Sequence, residues 1–487
     1  MQINDDLRLH TRQHNLSALR GLSALSWYAY KWLAIAVVSS FLVSISACTK
    51  PNINEAEQSA EHAAPTEAIT RDTTVENAQK VEFYETVMNA APFLPANKNS
   101  RALGCDMLVN AQESKHTYVS SEKADYANYG WEERIAHQGD YFHASKADGR
   151  ILLIDFANAN NNLAYRYLSN DNTHKQVYEP WSSSKIFAFT GAIAQLRKQG
   201  LGAQAKVGDT YVADMITGIN SYDNFGTASG ESNALATFFA NIAGRKYLSG
   251  LFYDDWLKLS AENIYFKGAY GPDAFVPSTY TWQMLDGTND SEQAPLQAVI
   301  SPFLNAADDP AYLPYRCDAC GLTGNKPMTT LAQAEWLKRL AAHTRDPATA
   351  HPNLRLEDIE TLFYGSGNSL GNEQFAGMTL GISLMLQQAI VNAIAGKDVA
   401  DPKAMLDELT KGEWRIFQKI GWGPSETRST TENVVLAHVC LPHFQGGREF
   451  TVAAQVAVPE AKEEHLALAG MKMQTLLQKS LSQYFHD

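Results

Sequence analysis

The chain has no surplus of basic residues. Its 487 residues carry 40 Lys and Arg against 53 Asp and Glu, a formal net charge of −13. Nucleic-acid binding needs cations to displace phosphate counterions, so this balance excludes nucleic acid as a partner. Cysteine is scarce too, at five residues: Cys48, Cys105, Cys317, Cys320 and Cys440. Cys317-Asp318-Ala319-Cys320 has no second CxxC and no His pair at zinc spacing, and no thioredoxin-like βαβ pattern surrounds it. A structural disulfide is the better reading than a redox or metal motif, and no metal or cofactor is expected. The four cysteines after Cys48 allow three full pairings, which sequence leaves open. No internal repeat or low-complexity stretch interrupts residues 81–487.

A comfortable membrane span is missing as well. The apolar stretch from Trp32 to Ala47, preceded by Arg8, Arg12, Arg20 and Lys31, is short and fits a signal h-region. It ends Ile45-Ser46-Ala47-Cys48, which resembles the lipobox of bacterial lipoproteins. That resemblance makes Cys48 the lipidated first residue of the mature chain. With Thr49 in place of Asp next, it implies an exported protein anchored in the bacterial envelope, in the outer membrane facing the periplasm. Residues 49–80, rich in Glu, Ala, Thr, Asn and Pro, read as a disordered tether with an r.m.s. reach of about 30 Å. Export implies an oxidising compartment in which disulfides persist.

The folded part, 81–487, opens with a helical pattern around Val81–Leu94. Strand-like runs follow near Asp106–Asn110, Thr117–Ser120, Ile151–Ala157 and Leu163–Leu168. Helical patterns then dominate, at Ser182–Gln199, Asn233–Ile242, Thr329–His343 (with Thr330 as a cap candidate) and Leu380–Ala395. Strands return at Trp414–Ile420, Val434–Cys440 and Glu449–Val458, and a helix from Pro459 to about Tyr484 closes the chain. The pattern predicts an α+β fold. One antiparallel sheet is built from both ends (81–181 and 411–487), with flanking N- and C-terminal helices and an inserted all-α subdomain (182–410).

The chemistry-bearing motif is Ser182-Ser183-Ser184-Lys185, set before the apolar run Ile186-Phe187-Ala188-Phe189. On a helix starting near Ser182, residues i and i+3 share a face, so the hydroxyl and the amine meet. Serine needs a neighbour to take its proton, and a lysine does so when burial and nearby positive charge disfavour its ammonium. The plain alternative is a polar N-cap before an ordinary helical lysine.

With this order of elements, Ser182-x-x-Lys185 resembles the opening of the helical insert in serine β-lactamases and penicillin-binding proteins, the class A β-lactamases above all. That family carries S-x-x-K, S-D-N and K-T-G in turn. Lys419-Ile420-Gly421 stands where K-T-G falls. The resemblance implies that Lys419 holds a substrate carboxylate, that Gly421 lets the acyl-amide approach the strand, and that Arg428 is a second carboxylate-binding cation. The S-D-N position is Ser229-Gly230-Glu231-Ser232-Asn233. Asn233 aligns with the asparagine, while Ser232 or Ser229 supplies the hydroxyl if the loop bulges; Tyr222-Asp223-Asn224 fits the Tyr-x-Asn form of other branches. Ile420 replaces the threonine of K-T-G. The Glu-x-x-x-Asn of the deacylating glutamate is not visible between Asn233 and Thr329, where Glu262 and Glu292 lack an Asn four residues on.

The implied activity is a serine hydrolase that forms an acyl-enzyme on a β-lactam or a related, small-molecule or peptide-like amide or ester. In it Lys185, helped by a hydroxyl near Ser232, deprotonates Ser182. The Ser182 N–H and an N–H after Gly421 hold the oxyanion, and Asn233 positions the substrate amide. A D,D-peptidase acting on peptidoglycan and a non-catalytic envelope-binding lipoprotein are the alternatives. Two rival signatures are weaker. Gly367-Asn368-Ser369-Leu370-Gly371 matches a nucleophile elbow but lacks the strand before and the helix after. His438 and His443 flank Cys440 without a nearby third ligand.

Overall fold

The computed structural model describes residues 75–97, 101–261, 263–284, 297–300, 302–371 and 375–487. The signal-like leader, Cys48 and residues 49–74 lie outside the described residues, as do Glu262 and Glu292. No described helix is long and apolar enough to cross a membrane.

The strands are β1 (Val119–Ser120), β2 (Ala136–Phe142), β3 (Arg150–Ala159), β4 (Asn162–Asn170), β5 (Ala205–Val207), β6 (Thr210–Tyr211), β7 (Thr281–Met284), β8 (Gln297–Val299), β9 (Arg415–Ser425), β10 (Thr430–Leu441) and β11 (Arg448–Pro459). The helices that matter for the site and its frame are α1 (Val75–Phe83), α2 (Lys185–Arg197), α3 (Val212–Ser221), α4 (Ser232–Ala243), α5 (Thr330–Ala341), α6 (Met385–Ala395) and α7 (Leu466–His486). The main sheet runs β1-β4-β3-β11-β10-β9, with β2 added beside β4. Its ladders are antiparallel except β2 on β4, which is parallel and irregular between Gln138 and Phe142. Both ends of the chain supply the sheet, and the helical segment is inserted between β4 and β9, as the sequence pattern predicts.

Period-two alternation sorts the strand side chains into two cores. Leu152, Ile154 and Phe156 of β3, with Phe417, Leu436 and Ala453, meet α5 and the insert. Ile151, Leu153, Ile416, Ile420, Trp422, Val435 and Val452 meet α6 and α7 on the other face. On β9 the same alternation puts Lys419, Gly421 and Gly423 on the insert side, facing the start of α2. The helix α5, buried along its length, carries Glu335 bonded to Lys338 (3.1 Å), Arg339 (2.7 Å) and the Tyr167 hydroxyl (2.8 Å). A charge cluster of this kind is held under the sheet only because each member is paired.

Four local expectations change. The insert is not all-α: β5–β8 form a second small antiparallel sheet in the order β6-β5-β7-β8. Its strands are two to four residues long, too short for periodicity to register. The cap of α5 is Thr329, whose hydroxyl accepts from the Ala332 N–H at 3.1 Å, rather than Thr330. Asp106–Asn110 supplies only a single bridge, Asn110 to Asn158, in place of a strand. The helix α1 begins at Val75, inside the segment read as tether, and passes into a wider turn over Tyr84–Met88.

Two disulfides are present. Cys317–Cys320 closes its own short loop, and Cys105–Cys440 ties the segment before β1 to the end of β10 across 335 positions.

Candidate active site

Ser182 lies in one 3-10 turn, Trp181–Ser184, that runs directly into α2. Side chains three apart eclipse in such a turn. Ser182 and Lys185 therefore project from the same side, and the Lys185 N–H bonds the Ser182 carbonyl. Trp181 enters the turn at φ +48, a left-handed conformation that is an outlier for a bulky residue. Four side-chain bonds hold it there. The Trp181 indole N–H donates to Glu432 Oε2 (3.0 Å), and the Ser184 hydroxyl donates to the Trp181 carbonyl (2.9 Å). Gln333 of α5 donates to Ser183 Oγ (2.7 Å), and that hydroxyl donates to the Pro180 carbonyl (2.5 Å).

The strand β9 supports the turn from below. A Cβ on Gly421 would sit 2.4 Å from the Ser182 nitrogen, and one on Gly423 would sit 2.3 Å from the Trp181 ring. Neither glycine has a positive φ, so both are required for space alone. Close approach of strand to turn backbone at Gly421, and of strand to the Trp181 indole at Gly423, is what the sequence motif Gly421-Trp422-Gly423 encodes.

Lys185 and Ser182 are both fully buried. The Lys185 ammonium donates to Ser232 Oγ at 3.2 Å, and Ser232 donates onward to the Ile219 carbonyl at 3.1 Å. Ser232 is the first residue of α4, so the loop does bring a hydroxyl to the lysine one residue beyond the strict S-D-N register. Asn233 is buried beside it, with Oδ1 lacking a hydrogen-bond partner.

Lys419 is buried on the facing strand and donates to the Ile420 carbonyl at 3.2 Å. Tyr222, at the left-handed end of α3, links the two lysines. Its ring centroid lies 3.6 Å from Lys419 Nζ and 5.1 Å from Lys185 Nζ. Its hydroxyl donates to the Ile420 carbonyl at 2.8 Å, and its ring stacks on Trp422 at 5.6 Å. The Ile420 carbonyl thus points off the free edge of β9, which pairs only with β10 among the described strands. Alternate residues share an edge in an antiparallel strand, so the Trp422 N–H leaves β9 on the same edge.

Arg428 goes elsewhere. Its guanidinium pairs with Glu179 and, at 2.7 Å, with Glu432. These carboxylates outweigh the cost of its burial and raise its pKa. Through Glu432 it braces Trp181 instead of projecting as an open cation.

In structure the chain is similar to serine β-lactamases and penicillin-binding proteins. A mutant of the chromosome-encoded β-lactamase of Vibrio parahaemolyticus aligns over 68% of this chain and 92% of its own, at 10% identity and TM-score 0.34. A class A β-lactamase from Bacteroides cellulosilyticus aligns over 69% and 92%, at 8% identity and TM-score 0.35. The protein PBP-A aligns over 69% and 89%, at 10% identity and TM-score 0.34. No family model and no curated protein matches the chain.

The remaining motifs fall outside this cluster. Gly367–Gly371 follows a helix, Leu356–Tyr364, and the Ser369 N–H is bonded to Asp214 Oδ1 (3.1 Å), so no strand-to-helix elbow forms. His438 contacts Thr451 (2.9 Å) and Glu449 (3.3 Å), and His443 contacts Glu413 (3.2 Å). No group of three or more His, Cys, Asp or Glu among the described residues is placed to hold a metal. Sequence reasoning missed Trp181, Gln333 and Glu432 as supports of the turn. It met Tyr222 only through the Tyr-x-Asn spelling.

Proposed function

We propose that the chain is a serine acyl hydrolase in which Ser182 is the nucleophile and Lys185 its proton acceptor. The observation that carries this reading is the pairing of a buried Ser182 turn, pressed on β9, with a buried Lys185 anchored by Ser232. Burial away from water is the physical ground for an uncharged Lys185 amine in this step. The amine then takes the Ser182 proton as Oγ attacks a carbonyl. The N–H groups of Ser182 and Trp422 are the donors for the oxyanion. Ser232 and Asn233 keep Lys185 and the substrate amide in register.

Substrate choice follows from where the cations are committed. Arg428 is bound to two glutamates, and Lys419 lies under Tyr222 with its ammonium on a backbone carbonyl. A carboxylate-bearing β-lactam or peptide that used Arg428 must break its two ion pairs, and one that used Lys419 must reach a buried ammonium beneath Tyr222, whereas a neutral ester need do neither. We therefore favour a neutral ester or amide over a carboxylate-bearing substrate. The test is intact-mass analysis after incubation with a fluorophosphonate, neutral esters and penicillin. The expected result is an adduct on Ser182, lost in Ser182→Ala, with ester acylation at least tenfold faster than penicillin acylation. Undiminished labelling of Ser182→Ala would reject the nucleophile, and faster reaction with penicillin would reject the substrate preference.

A further inference from the structure

A cavity of about 260 Å³ is lined by the starts of β3 and β10, the end of β11 and the segment before the nucleophile turn. Four cations line it, Lys146, Arg150, Arg428 and Lys472, against the single carboxylate Glu432. Glu432 is already engaged by Arg428, Thr430 and the Trp181 indole. Arg428 is matched by Glu432 and Glu179, which leaves three cations to account for.

None of the three has a carboxylate partner among the described residues. Arg150 donates only to neutral amides, Gln455 Oε1 at 2.6 Å and Gln176 Oε1 at 3.3 Å. Lys472 gives two of its three ammonium hydrogens to the carbonyls of Ala147 (2.8 Å) and Ala457 (2.9 Å), which aims the ammonium and leaves one donor. Lys146 is exposed at the rim. Burial lowers the pKa of Arg150 and of Lys472; Tyr178 and Glu432 oppose it at Arg150 while Arg428 adds to it, and Asp148 opposes it at Lys472.

The geometry points to a binding site for a phosphate group in this cavity, held by Arg150, Lys472 and Lys146. A phosphate monoester carries about −1.5 to −2 charge at neutral pH and three strong acceptor oxygens, which suits three cations that line one cavity without an ion-pair partner among the described residues. The volume is below the ~300 Å³ at which drug-sized ligands begin, so the group taken is a small headgroup or the free anion. The site is independent of the hydrolase reading: Ser182→Ala is expected to bind phosphate as the parent does.

The test is titration calorimetry at low salt with inorganic phosphate and with glycerol phosphate. A parallel arm measures co-sedimentation with vesicles of phosphatidic acid, a lipid phosphate monoester, against phosphatidylcholine vesicles. Saturable binding of phosphate is expected, weakened at least tenfold in Arg150→Gln, which keeps a hydrogen-bonding side chain. Lys146→Gln, an exposed change that leaves the fold alone, is expected to weaken it about threefold. Binding of the soluble phosphates identifies a free anion as the source, and binding only to phosphatidic acid vesicles identifies a lipid headgroup; either supports the site when the two variants reduce it. Absence of saturable binding in every arm, or binding unchanged in both variants, overturns it.

Discussion

Replacing Gly421 with alanine tests the contact between strand and nucleophile turn. The added methyl would lie 2.4 Å from the Ser182 nitrogen, 2.8 Å from Trp181 Cβ and 2.9 Å from the Ser183 nitrogen. Ordinary contact begins near 3.4 Å, so the turn must retreat by about 1 Å. All three atoms belong to the backbone or its first side-chain carbon, and none can rotate away. A displacement of about 1 Å at a reacting group costs on the order of 10²-fold in rate, or about 2.7 kcal/mol. Overpacking adds about 1–3 kcal/mol of lost stability. Gly423→Ala is the matched control, because its methyl meets the indole ring of Trp181 and not the Ser182 backbone. It should cost similar stability but no more than about tenfold in rate. The assay is the second-order rate of fluorophosphonate labelling at Ser182, read by intact mass, with thermal unfolding followed in parallel. Labelling of folded Gly421→Ala within threefold of the parent would refute the reasoning. So would a Gly423→Ala variant that is equally slow.

Tyr222→Phe removes one hydrogen bond to the Ile420 carbonyl, worth about 1 kcal/mol, and keeps the ring over both lysines. If that hydroxyl competes with substrate for the strand edge, kcat/KM for a neutral ester should rise about fivefold; a tenfold fall would instead make the hydroxyl part of proton transfer. Stability should decline on acidification. Glu449 is pulled from 4.5 to about 2 because Arg345 and His438 outweigh its burial. His137, at about 4, and His174, at about 3, are lowered chiefly by burial, as is His438. Each folded pKa lies below its unfolded value, so each contribution is complete above the unfolded pKa and lost as pH falls. The histidine contributions fade below about pH 6.5, and that of Glu449, about 3 kcal/mol, between about pH 4.5 and 2. Urea midpoints that stay level or rise between pH 7 and 4 would contradict this.

The long strands were legible because each is an apolar run bounded by turn residues. The start of α2 was legible because Ser182 and Lys185 stand immediately before Ile186-Phe187-Ala188-Phe189. The strand β2 was not, since Ala136–Phe142 carries polar residues and a glycine and finds its order only by pairing with β4. The fate of Arg428 was invisible for a different reason. One of its partners, Glu179, is 249 residues away, and nothing local in sequence distinguishes a braced arginine from a ligand-binding one. Tyr222 shows the same limit: three-letter spelling marked it, but its place over two ammonium groups depends on how the end of α3 meets β9. For the four cysteines after Cys48 the pairing emerged only with the fold, since Cys105 and Cys440 meet through the sheet.

That last tie gives the molecule a closed covalent ring from Cys105 to Cys440, with the helical insert and the nucleophile turn strung along it. A protease that severs any single peptide bond inside the ring makes two fragments that still travel as one particle. A nick in the insert therefore adds only one water to the intact mass, the fragments part only when a reductant opens the loop, and a nicked molecule keeps both halves of its cleft at high effective concentration.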